Sequence, residues 1–252
     1  MLRSKRKLWV FGLLTLAITL STGTVAFALA SRPVNEDASV YLLDGDFNQN
    51  TDKLRAEAGT LNCAASRTRW SYLKWNVADA QGKPVDYAKI TLTADLVNLG
   101  ASPQGGVFVG LYQTTDGWTE STVTANNGPA IGSLIVSVPI PVSPGPIVFE
   151  GTSLANYIMG EANGDGIASM VVALSGNCGE ASVLVRMWSK DQSANPDAVP
   201  ALELRAGGPT AVTLADTGAQ PANSLPLYAG LAVLALIAVV GVGVSRRRTA
   251  AR

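Results

Sequence analysis

Between residues 37 and 204, apolar side chains fall at alternate positions in short runs, and a period of two specifies β-strands. Ser39-Val40-Tyr41-Leu42, Ser71-Leu73-Trp75-Val77, Ala88-Ile90-Leu92-Ala94-Leu96, Val107-Val109-Leu111, Leu134-Val136-Val138, Met170-Val172-Leu174, Val183-Val185-Met187 and Ala201-Leu202-Leu204 read this way. Turn residues separate them at Asp44-Gly45, Gln81-Gly82-Lys83-Pro84, Asn126-Asn127-Gly128-Pro129, Ser143-Pro144-Gly145-Pro146 and Asn163-Gly164-Asp165-Gly166. Ser153 to Met159 hints at a helical turn. Each strand has one apolar face to bury, and so many short strands predict an all-β fold. The simplest form is an antiparallel β-sandwich of jelly-roll type.

The two ends are of a different character. Arg3, Lys5, Arg6 and Lys7 precede an apolar stretch from Leu8 to Leu20 and a small-x-small site at Ala28-Leu29-Ala30, the pattern of a signal peptide over residues 1–30. Cleavage is expected after Ala30. Near the other end, residues 225–244 form an apolar run of transmembrane length, followed by Ser245-Arg246-Arg247-Arg248 in a basic tail over 245–252. The arginines stay cytoplasmic by the positive-inside rule, which places the preceding chain outside the cell, on the extracellular side of the envelope. In the 207–224 linker, Leu214-Ala215-Asp216-Thr217-Gly218 precedes that run. The order resembles a bacterial cell-wall sorting signal of LPxTG type, in its LAxTG form. The resemblance implies a sortase that cleaves between Thr217 and Gly218 and joins Thr217 to cell-wall peptidoglycan. The alternative is a plain single-pass membrane anchor through the C-terminal helix.

The balance of 19 basic and 19 acidic residues hides an asymmetry between these ends and the domain over 31–206. That domain carries 11 Lys and Arg against 18 Asp and Glu, a net −7. Nucleic-acid affinity rests on phosphate contacts from a basic surface, so no nucleic-acid partner is expected. A long polyanionic glycan is disfavoured on the same ground unless a local basic patch offsets the repulsion. The chain has no histidine, which removes Ser-His-Asp triads, imidazole zinc sites and a histidine general base. No motif singles out a carboxylate pair for glycoside hydrolysis, and the chain is read as non-catalytic. Cys63 and Cys178 are the two cysteines of an exported chain, where oxidation favours a disulfide between them.

A second resemblance runs through the domain. Asp37-Ala38-Ser39-Val40, Trp70-Ser71-Tyr72-Leu73-Lys74-Trp75-Asn76-Val77, Ala88-Lys89-Ile90, Gly117-Trp118-Thr119-Glu120-Ser121-Thr122-Val123-Thr124, Asn126-Asn127-Gly128-Pro129, Ser189-Lys190-Asp191, Asn195-Pro196 and Pro200-Ala201-Leu202-Glu203-Leu204 follow one another in the order of the DNRLRE domain. That family is similar to carbohydrate-binding modules, and the resemblance implies a β-jelly roll on a bacterial surface protein. Ala125 stands where members commonly carry tryptophan, and Asp191 where glutamate is usual.

Sugar binding needs aromatic faces with polar groups beside them. The candidate ligand residues are Trp70, Tyr72, Lys74, Tyr112 and Trp188, with Trp118 read as structural. Alternation puts Leu73, Trp75 and Val77 on one face of their strand, as core, and Trp70, Tyr72 and Lys74 on the other, as a platform. The competing reading is that these aromatics cover a core edge. Asp44, Asp46, Asn48, Asn50 and Asp52 place oxygen donors at every other position, so calcium is the cofactor kept open. The loop lacks the EF-hand glycine and bidentate glutamate, and a polar Asx-rich turn is the simpler account.

Two functions therefore stand. One is a surface-anchored, non-catalytic module that binds a polysaccharide or glycan-rich matrix. The other is a structural or adhesive surface protein acting through protein–protein contacts.

Overall fold

The computed structural model describes residues 27–46, 48–100, 106–179 and 182–206. The sorting motif Leu214 to Gly218, the apolar run, the basic tail and all of the expected signal peptide before Phe27 lie outside them. Among the described residues no helix is long and apolar enough to cross a membrane.

Among the described residues, twelve strands and one α-helix follow one another as β1 (Phe27–Pro33), β2 (Glu36–Tyr41), β3 (Asn48–Gln49), β4 (Lys53–Ala58), β5 (Arg67–Asn76), β6 (Val85–Asn98), β7 (Val107–Gln113), β8 (Leu134–Pro139), β9 (Gly145–Glu150), α1 (Thr152–Asn163), β10 (Ile167–Gly176), β11 (Val183–Trp188) and β12 (Ala201–Ala206). Every pairing is antiparallel. The main path runs β1-β12-β6-β11-β4-β5-β10-β7-β8, with β2 also on β5, β3 on β2 and β9 on β6. The ladders join into one curled sheet because β4, already paired with β11, also meets the start of β5 at Glu57 and Arg69.

The curl encloses a core fed from both of its arms. Leu54, Ile90, Val185 and Leu202 come from one arm, and Leu73, Trp75, Val109, Leu111 and Met170 from the other. The expected inward set of Leu73, Trp75 and Val77 is fully buried. Helix α1 extends the helical hint at Ser153 to 12 residues. It buries Leu154, Ala155, Ile158 and Ala162, a stripe with the i, i+4 spacing of one helix face.

Several strands escaped the alternation. In β4 the inward positions include Ala56 and Ala58, too small to register as a hydrophobic period. In β9 Gly145 and Pro146, expected as a turn, are already paired with Ala94 and Thr93 of β6, and Ile147 and Phe149 point inward. Strand β1 crosses the expected cleavage point after Ala30, since Phe27 and Leu29 pair with Ala206 and Leu204. The expected disulfide forms between Cys63 and Cys178, both fully buried, and links the β4–β5 connection to the chain after β10.

Candidate functional site

The outer face of β5 carries Trp70, Tyr72 and Lys74 side by side, as alternation requires, but it is not open. Residues 114–133, between β7 and β8, fold across it. Trp118 and Val123 of this cover form a second apolar cluster with Ala38, Val40, Tyr72, Tyr112, Val171 and Ala173, and Trp70, Ala125 and Ile131 pack against it. Tyr72 is 1 % exposed and Lys74 8 %, so neither can offer a face to a sugar. Tyr112 is buried with the guanidinium of Arg67 over its ring at 4.6 Å.

Polar bonds fasten the cover. Tyr72 Oη donates to Pro129 O at 2.6 Å. Lys74 Nζ donates to Trp118 O at 2.5 Å and to Glu36 Oε1 at 3.1 Å. Glu36 Oε2 in turn accepts from the Glu120 N–H at 2.8 Å. Lys74 thus anchors a loop. The loop expected to hold calcium does the same. Asn48 Nδ2 donates to Glu120 O and Val123 O, and Asp46 Oδ1 accepts from Asn126 Nδ2. Asp44, Asp46, Asn50 and Asp52 are exposed, and the three aspartates do not converge as a carboxylate group.

A carboxylate group does form elsewhere, from residues far apart in the sequence. Asp37 on β2, Glu120 in the cover and Asp191 after β11 bring one oxygen each within 4.8 Å of one another. Lys190 Nζ lies 2.7 Å from both Glu120 Oε1 and Asp191 Oδ1. Asp37 is fully buried; its Oδ2 accepts from the Lys190 N–H at 2.8 Å, and its Oδ1 has no partner. Burial, with the nearby charges of Glu120 and Asp191, pushes the Asp37 carboxyl up to about 7. Burial and a hydrogen bond with Asp191 raise Glu120 as well. For Asp191 burial acts upward, but its bonds with Glu120 and Lys190 outweigh it and hold the carboxyl below the usual range.

Trp188, the remaining ligand candidate, lies on the outer face of the other arm and is half-buried. Lys53, its cross-strand partner, sits over its ring. Beside them the β4–β11 register sets Arg55 directly opposite Arg186. Burial lowers the Arg55 pKa, and the neighbouring charges of Arg69 and Arg186 lower it further, while Asp52 and Asp95 act the other way. Asp95 pairs with both Arg186, at 2.9 Å, and Lys53, at 3.0 Å. Arg69 pairs with Glu57 at 3.4 Å and stacks 4.3 Å over Tyr41. Four cations and two aromatic rings thus share one surface of an otherwise acidic domain. An open depression of about 430 Å³ lined by Ser31, Arg32, Pro33, Asn35, Asn76 and Asp79 has no aromatic wall, and two of its lining residues, Arg32 and Asp79, are paired with each other.

Residues 35–202 match carbohydrate-binding module family 96. The chain belongs to that family. The match spans β2 to the start of β12, which takes in the cover and leaves β1 outside. Membership supports the carbohydrate-binding character expected from the motif order. No curated protein matches the chain.

Proposed function

We propose that the domain is a non-catalytic, polysaccharide-binding module displayed on the outside of a bacterial cell. The observation that carries the reading is the placement of Arg55 opposite Arg186 on the outer face of β4 and β11, flanked by Arg69, Lys53, Tyr41 and Trp188. Asp95 holds Arg186 and Lys53, and Glu57 holds Arg69, so these cations and the two rings are kept together on one surface. Guanidinium groups present forked N–H donors to hydroxyl or carboxylate oxygens, and the aromatic rings offer apolar area at the rim of the patch. The patch also meets the condition under which an acidic domain can hold an anionic glycan. With Tyr72, Lys74 and Tyr112 buried, the proposed ligand face centres on Trp188, which like Trp70 is half-buried and keeps some contact with solvent.

Display would follow from the terminal segments. After signal cleavage, sortase would join Thr217 to peptidoglycan, with Leu225 to Val244 holding the chain in the membrane beforehand. The test is retention on a panel of insoluble polysaccharides, comparing the wild-type chain with Arg55→Ala and Trp188→Ala variants of matched thermal stability. Loss of retention of about tenfold in either variant is expected. Equal retention by all three would overturn this face, and no retention of the wild type on any glycan would turn attention to protein partners. Intact mass of wall and membrane extracts, with Thr217→Ala as control, tests the anchor.

A further inference from the structure

We infer that Asp37, Glu120 and Asp191 form a binding site for a calcium-type divalent cation that fastens the 114–133 cover to the sheet. The inference stands apart from the glycan-binding face, which lies on other strands.

Three carboxylates within 4.8 Å repel one another unless something positive joins them. Lys190 does so for two of the three. Its ammonium makes its ion pairs with Glu120 and Asp191, at 2.7 Å each, and none with Asp37. Asp37 is the deepest of the group, 0 % exposed. Its Oδ2 is held by the Lys190 N–H, and its Oδ1 is buried with no hydrogen-bond partner among the described residues, while one oxygen of this carboxyl lies within 4.8 Å of the other two carboxylates. A buried carboxylate oxygen with nothing to accept from is costly, and natural folds retain one where an ion or a function uses it.

The chemistry of the donors selects the ion. All three are carboxylates, the chain has no histidine, and both cysteines are tied in the disulfide, so soft and borderline metals lack their preferred ligands. Calcium takes six to eight oxygens in flexible geometry, which three carboxylates supply in large part, while magnesium demands a tighter octahedron. Charge also fits. When all three are ionised, the carboxylates and Lys190 leave a net −2, which one divalent cation cancels.

The position gives the ion a task. Asp37 lies on β2, Glu120 two residues after Trp118 in the cover, and Asp191 just after β11, so the cation would cross-link three segments distant in sequence. It would hold the cover that buries Tyr72 and the rest of the second apolar cluster.

The experiment uses the full chain in detergent, stripped with EGTA, and follows thermal unfolding during a calcium titration. Terbium emission, sensitised by the nearby Trp118, serves as a direct probe. The expected result is saturable stabilisation with a midpoint in the range of about 0.1 to 1 mM usual for extracellular modules. At about 100-fold excess over that midpoint the Tm rises by about 5 to 10 °C. Magnesium gives much less. Terbium emission appears in the wild type and is displaced by calcium. Asp191→Asn, a substitution at an exposed position, and Asp37→Asn each abolish both signals, with near-ultraviolet circular dichroism confirming the fold, whereas Asp44→Asn leaves both intact. Absence of both signals in the wild type would overturn the site, as would their survival in Asp191→Asn or their loss in Asp44→Asn.

Discussion

The rings of Tyr72 and Trp118 pack with centroids 5.3 Å apart and planes inclined at 45°. This contact turns what would be an aromatic surface on β5 into the interior of a second small core. Trp118 is 5 % exposed, and Lys74 Nζ lies 4.3 Å from its ring centroid. Replacing Trp118 by alanine therefore empties the cluster. The expected loss is about 3 to 5 kcal/mol, as for large-to-small core changes, read as a lower urea midpoint.

Lys74→Met separates an anchoring lysine from a ligand-binding one. The variant removes the bonds to Trp118 O and Glu36 and should cost about 1 to 3 kcal/mol. Glycan retention by the molecules that remain folded should not change. Reduced retention at unchanged stability would restore Lys74 to a binding role.

Gly128 approaches Tyr72 so closely that a Cβ at that position would lie 2.6 Å from the phenol oxygen and 2.8 Å from the Thr124 carbonyl oxygen. The second neighbour is backbone and cannot swing aside. Gly128→Ala should destabilise by about 1 to 3 kcal/mol through overpacking and lengthen the Tyr72–Pro129 hydrogen bond. Denaturant unfolding of the variant checks the first and its structure the second.

The Cys63–Cys178 bridge spans 115 residues. Paired Cys→Ala substitution at these two fully buried positions should lower stability by about 4 to 5 kcal/mol in the chain-entropy account. A Tm that is insensitive to the double substitution would show that the unfolded chain is already constrained.

Asp37 gives the metal-free protein a pH dependence of definite sign. Its folded pKa of about 7 exceeds the ordinary 3.8, so the folded state holds the proton more tightly. The contribution to stability is full below about pH 4 and is lost as pH rises through about 7, up to roughly 4 kcal/mol. Around Asp37 stand Glu120, also raised, and Asp191, lowered, which works in the opposite sense in more acid solution, with Lys190 charged throughout. In EGTA, Asp37→Asn should gain stability relative to the wild type between pH 5 and pH 8. Calorimetry at both pH values measures it, and parallel curves would count against the burial of an ionising Asp37.

Alternation along the chain settled which side chains share a face: Leu73, Trp75 and Val77 inward, Trp70, Tyr72 and Lys74 outward, with a strand at nearly every alternating run. A helical turn was hinted at over Ser153 to Met159, and the cysteine pair, in a chain expected to be exported, foretold the bridge. These are local properties, since a period of two is set by the pleat of a single strand. What lies over an outer face is not local. Residues 114–133 have no period of their own, and only their packing against β2, β5, β7 and β10 decided that Tyr72 is interior and that Asn48 and Asp46 hold a loop. Strand β4 was hidden because alanine carries too little apolar area to mark a face. The meeting of Asp37, Glu120 and Asp191, and the opposition of Arg55 and Arg186, depend on strand pairings between distant segments, which tertiary structure alone brings together.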